Sequence, residues 1–331
     1  LVRSRGLGDV YKRQIKYIQQ ALLIDPNNSN FLTNFGAALI AAGQLHDAVK
    51  NYQKALALNP NDSDILFNLS NVFYDLAEYG EAAACYRKLQ KIYPNDGDIK
   101  ANLSAILQSA GSANQQSGLY EQATLNYQEA ALLTPQDATI YYNLANAQRE
   151  LGKARDAAIN YQKTIALNPG DADAYNNLGN VQRELGQLQE AINSYRTALK
   201  LNPGLYHAKV HLVHQKQHVC EWENLNEEIA EIRQWVKEKP QAQVSPFAFL
   251  SMPETNSEEQ KQCANNWLGN RYKEAFLQGE RLNFKYAYQH SRIRIGYLSA
   301  DFRLHPLASL ITELIEVHDR KHFEIYAYSY G

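Results

Sequence analysis

The sequence predicts a mainly α protein: a long stack of paired helices wound as a right-handed α-solenoid, followed by the beginning of an α/β domain. Three observations predict it. Prolines fall at 26, 60, 94, 135, 169 and 203, in steps of 34, 34, 41, 34 and 34. Particular residue types recur at fixed offsets from those prolines. After residue 291 the helical periodicity gives way to two runs that alternate like strands.

A 34-residue unit ending in proline is the signature of the tetratricopeptide repeat, a helix–turn–helix unit. Twelve residues before the last five prolines stand Ala48, Ala82, Ala123, Ala157 and Ala191, and eight before stand Tyr52, Tyr86, Tyr127, Tyr161 and Tyr195. Five before stand Ala55, Ala130 and Ala198, with Leu89 and Thr164 as departures. On the first helix an apolar residue (Phe35, Leu69, Leu103, Leu144, Leu178) precedes a small one (Gly36, Ser70, Ser104, Ala145, Gly179). Small residues let two helices approach closely, and the tyrosine is expected to fill the space toward the next repeat. Proline ends the second helix, because it has no N–H and restricts the residue before it. The Asn or Asp that follows supplies turn and cap chemistry. One unit cannot bury its own apolar face, so the units must stack. The solenoid covers 15–205: half a repeat at 15–28, then repeats at 29–62, 63–96, 97–137, 138–171 and 172–205.

The 41-residue step carries seven extra residues near 112–118, in the turn of the third repeat. Counting forward, Gly111 stands where Gly43, Gly152 and Gly186 stand; counting back from Pro135, Gly118 does. The insert either bulges into solvent or lengthens one helix by two turns, and tolerated loop variation is its plain reading. Residues 1–14 fall outside the pattern and read as a non-native, adapter-derived tail. The chain stops just after a strand-like run, so it reads as a piece truncated at both ends.

One position before each first-helix apolar residue stands an asparagine: Asn34, Asn68, Asn102, Asn143 and Asn177. Asn71, Asn146 and Asn180 follow three residues further on. Asparagine is a mediocre helix former, so its return at these helix-interior positions asks for a reason. Its amide both donates and accepts. A row of such amides on the concave side can bond the main chain of an extended peptide without reading its side chains. The plain alternatives are duplication without function and amide bonds spent inside the solenoid. Neighbouring inner positions (Asn30, Asp64, Asp98, Thr139 and Asp173; Thr33, Phe67, Ala101, Tyr142 and Asn176) include no Lys or Arg. A clamp for a peptide's terminal carboxylate needs such cations and is disfavoured.

Composition narrows the function classes. The 331 residues have room for about two domains, and a net charge of -2 gives no basic footprint for nucleic acid or an anionic membrane. Apolar runs are too short to span a bilayer, and no secretory signal opens the chain. Cys85, Cys220 and Cys263 form no CxxC, so neither zinc nor a disulfide framework is indicated. Buried or half-buried thiols in a reducing cytoplasm are the expectation.

Residues 206–237 continue the pattern for one more helix, with His211 at the ladder position. Cys220-Glu221-Trp222 and a helix over 225–236 then cap the solenoid. Residues 238–291 read as a connector with a helix near 257–278. His207, His211, His214 and His218 share a helix face, but no cysteine or carboxylate set completes a metal site, and surface histidines are the commoner explanation. Residues 292–299 alternate like a strand, 300–305 form a loop, Pro306 suits the start of a helix over 307–318, and 323–329 make a second strand. This is a βαβ unit opening a Rossmann-like domain. Ligands in such folds sit beyond the carboxyl ends of the strands, where Asp301, Arg303 and His305 lie.

The asparagine ladder, Cys220-Glu221-Trp222 and above all Arg294-Ile295-Gly296-Tyr297-Leu298-Ser299-Ala300-Asp301-Phe302-Arg303-Leu304-His305-Pro306 resemble the O-linked N-acetylglucosamine transferases of glycosyltransferase family 41. Those enzymes carry tetratricopeptide repeats before a GT-B catalytic region. The resemblance covers about residues 15–331 and reaches only the start of that region, 292–331. It implies transfer of GlcNAc from UDP-GlcNAc to Ser or Thr hydroxyls of acceptor polypeptides, with inversion, no cofactor and no required metal. It makes His305 the active-site histidine of an Asp-Phe-x-x-His-Pro loop, with Asp301, Arg303 and Pro306 beside it. There an imidazole can position the acceptor hydroxyl or donor sugar, or take a proton, and positioning is the favoured role. The nucleotide-binding residues of the family lie in a second lobe, so this piece alone is expected to be inactive. Self-association through the repeats stays open. The alternative is a non-catalytic tetratricopeptide scaffold with a vestigial C-terminal block.

Overall fold

A computed structural model describes residues 2–271, 292–299 and 319–329. The chain forms two units, Leu1–Arg271 and Tyr272–Gly331.

The first unit is a stack of antiparallel helix pairs. Helix α1 (Val2–Ile24) runs through the segment read as a foreign tail and precedes the pairs α2 (Ser29–Ala41) with α3 (Leu45–Leu58) and α4 (Ser63–Asp75) with α5 (Tyr79–Ile92). The pairs α6 (Gly97–Gln116) with α7 (Tyr120–Leu133), α8 (Ala138–Glu150) with α9 (Ala154–Leu167) and α10 (Ala172–Glu184) with α11 (Leu188–Leu201) follow. Every first helix starts on a side-chain cap. Asn28 accepts from the Phe31 amide, Asp62 from Asp64 and Ile65, Asp96 from Asp98 and Ile99, Asp137 from Thr139, and Asp171 from Ala174. These bonds satisfy donors that the helix itself leaves open. The first helices end in left-handed turns at Gly43, Gly118, Gly152 and Gly186 (φ 71° to 75°), with Ala77 (φ 59°) in the second repeat.

The repeat core is the alanine and tyrosine set. Ala48, Ala82, Ala123, Ala157 and Ala191 have no exposed surface, and the five tyrosines are buried. Three of the rings lie against a glycine of their own first helix. A Cβ added at Gly36 would stand 2.8 Å from the Tyr52 ring, at Gly111 2.6 Å from Tyr127, and at Gly179 2.7 Å from Tyr195. The ring thus packs within its own repeat and also reaches the next, as Tyr86 does toward Asn102 and Tyr195 toward His211.

The third repeat settles the insert. Helix α6 has 20 residues where α4 and α8 have 13. The extra residues are two further helical turns, not a loop. Gly111 sits inside the helix, and Gly118 makes the turn.

Beyond the repeats come α12 (Tyr206–His218), α13 (Leu225–Glu238), a 3-10 turn (Pro240–Ala242), α14 (Pro246–Leu250) and α15 (Ser257–Arg271). They share a core of Val210, Val213, Ile229, Ile232, Trp235, Phe249, Met252 and Cys263. Trp222 is 63% exposed, so α13 and not this tryptophan closes the stack. Buried Glu259 takes two hydrogen bonds from the Arg233 guanidinium, and that contact, with Lys237, holds its carboxyl down at about 2. Cys85 and Cys263 are buried as expected, whereas Cys220 is exposed. The expected extension of α15 to 278 lies outside the described residues.

In the second unit β1 (Ile293–Ser299) and β2 (Phe323–Ser329) pair in parallel, from Ile293 opposite Phe323 to Ser299 opposite Ser329. A parallel pair needs a crossover connection. The expected loop and helix over 300–318 lie outside the described residues.

Two substitutions test these contacts, one against the usual helix rule and one with the usual turn rule. Gly179→Ala would ordinarily raise helix propensity; here it forces the Tyr195 ring to move and should cost about 1–3 kcal/mol in urea unfolding. Ala77→Gly removes left-handed strain and should gain about 1 kcal/mol.

Candidate peptide-binding groove

The ladder asparagines differ in their surroundings. Asn34 and Asn102 are exposed, and Asn68, Asn143 and Asn177 are half-buried. Each precedes a residue turned into the core, such as Leu69, Leu103, Leu144 and Leu178. The amides of Asn34, Asn68 and Asn143 make no hydrogen bond among the described residues. Asn177 donates to the Tyr142 hydroxyl at 3.0 Å, and Asn102 lies beside the Tyr86 hydroxyl.

The asparagines three residues further on do a different job. Asn180 is 8% exposed and accepts from the buried Tyr195 hydroxyl at 2.9 Å. Asn146 accepts from Tyr161 at 2.5 Å. Their side-chain oxygens are committed inside the solenoid, which corrects their inclusion in the peptide-facing row. Asn71 stays exposed without such a bond. Spacing alone does not separate the two kinds: Asn71, Asn146 and Asn180 each stand fifteen residues before a core tyrosine.

Around Asn102 the groove holds a feature that the pattern did not single out. Asp64, Asp98, Phe67, Tyr86 and Tyr93 surround a cavity of about 270 Å³ beside this asparagine. Phe67 and Tyr93 are each 47% exposed, an apolar cost that a bound chain would relieve.

At the far end of the stack α12 brings its histidines to a second cavity, of about 260 Å³, lined also by Arg183, Phe247 and Trp267. The His211 ring stacks on Tyr195 at 5.7 Å. Burial, then Arg183 with His207, His214 and Arg149, pushes His211 down to about 4. Among the described residues no three His, Cys, Asp or Glu side chains are arranged to hold a metal. Asp301, Arg303, His305 and Pro306 lie outside the described residues, and nothing is assigned to them structurally.

Repeat architecture and the amide row define a tetratricopeptide-repeat protein. Tetratricopeptide families match residues 17–50, 36–76, 63–96, 111–152, 138–171 and 172–205. Residues 219–331 match glycosyl transferase family 41, so the repeats run into a glycosyltransferase region. The chain is 29% identical over 130 residues to the "Probable UDP-N-acetylglucosamine--peptide N-acetylglucosaminyltransferase SEC" of Arabidopsis thaliana, a match covering 36% of this chain and 13% of that protein. The chain thus spans about an eighth of the length of this curated relative. Among solved structures it is similar to MamA (24% identity, 51% of this chain, 94% of the other, TM-score 0.37). It is also similar to YrrB, described as "a TPR protein with an unusual peptide-binding site" (20%, 56%, 92%, TM-score 0.39). Among the described residues no helix is long and apolar enough to cross a membrane.

His211 gives a pH signature. Below about 6.5 the unfolded imidazole takes a proton that the folded one refuses until about pH 4. Stability is therefore complete above 6.5 and falls as pH drops from 6.5 toward 4, by about 2 kcal/mol after allowance for partial exposure. His211→Asn should reduce the loss of urea-unfolding stability across that window, leaving the part contributed by His207 and His214, which burial also pushes down.

Proposed function

We propose that this chain is part of a protein O-GlcNAc transferase whose repeat groove holds acceptor polypeptides in extended form. The observation that carries the reading is the family 41 match over 219–331, running directly on from repeats that present unbonded asparagine amides. Asn34, Asn68, Asn102, Asn143 and Asn177, with Asn71, bond the acceptor main chain, so many unrelated sequences are accepted. In the transfer step the acceptor Ser or Thr hydroxyl attacks the anomeric carbon of GlcNAc from the side opposite UDP. The new glycosidic bond forms as the bond to UDP breaks, which inverts the configuration, and the hydroxyl proton leaves to the departing UDP or to solvent. His305 positions the hydroxyl and sugar within its Asp301–Pro306 loop, and UDP-GlcNAc is a substrate, not a resident cofactor. The unpaired cysteines fit a reducing, cytoplasmic setting.

The repeats by themselves also fit a peptide-binding scaffold without catalysis, and one assay separates the two. Protein expressed with its complete catalytic region should transfer GlcNAc from UDP-GlcNAc to acceptor peptides and lose at least about 100-fold in rate with His305→Ala. Absence of transfer by the unaltered protein leaves the scaffold. For the groove, Asn34→Ala with Asn68→Ala and Asn143→Ala should weaken unrelated extended peptides alike, by about tenfold in anisotropy titrations. Asn180→Ala should instead lower unfolding stability by about 1–3 kcal/mol, because it strands the Tyr195 hydroxyl. Unchanged peptide affinity in the triple variant would sink the groove.

A further inference from the structure

The ladder asparagines are 34 residues apart except across α6, where Asn102 and Asn143 are 41 apart. Three spacings define a regular repeat. A first-helix residue meets the one 35 further on: Tyr142 accepts from Asn177, and Arg149 bonds Glu184. A first-helix serine meets the carbonyl 26 further on, as Ser29 donates to Ala55. The small residue meets the tyrosine 16 further on, as Gly36 meets Tyr52 and Gly179 meets Tyr195.

Helix α6 keeps all three spacings, but its pairing with α7 uses its later turns. Ser104 donates to the Ala130 carbonyl, 26 residues on. Gly111 receives the Tyr127 ring, 16 residues on. Ser109 then stands to Tyr127 as Asn34 stands to Tyr52, and it precedes Asn143 by one regular 34-residue period. Asn102 follows Asn68 by the same period and borders the Phe67 and Tyr86 cavity with α4 and α5. Tyr74, two turns beyond Phe67, is the α4 residue that bonds Ser109, whose hydroxyl in turn donates to the Ala105 carbonyl, so this rung offers a peptide less than an asparagine would. Seven residues fall about 20° short of two full turns, so Asn102 and Ser109 share one helix face. They are separated by about 10 Å along the axis, at 1.5 Å per residue. On its other side the extension leaves a cleft of about 350 Å³ between Ala77, Gly80 and Arg87 of the preceding repeat and Ala110, Ala113 and Asn114.

We propose that α6 divides the groove into two registers, Asn34–Asn68–Asn102 and Ser109–Asn143–Asn177, offset by about 10 Å. An extended acceptor chain that engages both therefore needs about three residues more than a regular row would require, at about 3.3 Å per residue. This rests on the peptide-groove reading and adds a length requirement to it. The partner is one extended polypeptide, selected by how much chain it can lay across the step and not by its side chains.

The test uses the chain itself and fluorescein-labelled peptides of mixed Ser, Ala, Val and Pro, graded in length and read by anisotropy. Deleting residues 105–111 removes two turns, keeps the Gly118 turn and brings the Pro94 to Pro135 step to 34. Affinity should rise with peptide length in both proteins and level off about three residues later in the unaltered one. At the length where the deletion variant has just levelled off, it should bind about tenfold tighter. Ser109→Asn changes no lengths: it gives the second register a third asparagine and should tighten short peptides by about threefold or more. Superimposed length curves, or with a deletion variant that does not fold a silent Ser109→Asn, overturn the split groove while alanine at Asn34, Asn68 and Asn143 still weakens binding. If those alanine substitutions are silent as well, the peptide-groove reading falls and takes the split with it.

Discussion

The contact on which the solenoid depends is a tyrosine ring laid against a residue with little or no side chain. Gly36, Gly111 and Gly179 have no room for a further carbon beneath Tyr52, Tyr127 and Tyr195. That approach sets the distance between the two helices of a repeat, and through it the spacing of everything the first helices display. It also buries a phenol, and a buried hydroxyl must find a partner. Tyr127 reaches Gln115, Tyr161 reaches Asn146 and Tyr195 reaches Asn180. Burial raises these phenols, Tyr127 to about 12, so the hydroxyls keep their protons and remain donors.

This packing divides the asparagines into two kinds. On a helix, residues three apart are neighbours on one face, yet in the fourth and fifth repeats the second of the two bonds the core tyrosine, while Asn71 in the second repeat stays exposed. Asn146 and Asn180 belong to the core by their bonds, while Asn34, Asn68 and Asn143 retain open amides. A residue type that looks repeated for a single purpose therefore serves two. The acidic side chains near Asn102, Asp64, Asp96 and Asp98, add a negative field to that part of the groove. Such a field opposes a peptide carboxylate, in keeping with the missing Lys and Arg.

Most of the architecture was legible because repeat physics is local. The proline period, the Asp and Asn caps, the alanine–tyrosine offsets and both strands could be read from spacing alone. What spacing left open was set by contacts between elements. Counting placed the extra residues of the third repeat in a turn, but α6 continues through Gly111 to Gln116, and two added turns preserve the apolar face. Gly111 and Gly118 were equivalent by arithmetic and become distinct only when Tyr127 occupies the space above one of them. Trp222, read as part of the cap, is exposed, and Trp235 on α13 fills the core at that end. For the reacting end, His305 and its loop, the reading remains the one the motif supplies.

A groove that bonds only main chain gains little from each contact. A neutral hydrogen bond is worth about 0.5–1.5 kcal/mol net, and ordering an extended chain costs much of what a handful of such bonds returns. Sequence-blind binding of this kind is weak and quickly released. It also means that the groove selects by reach more readily than by side chain. In such a system the length of one helix is a sensitive variable. Lengthening α6 by two turns alters no exposed chemistry that a peptide must match, yet it changes how much extended chain is needed to touch both ends of the row. Insertions that keep helical phase leave the core contacts intact, so a repeat solenoid can change that requirement without weakening the tyrosine packing that holds it together.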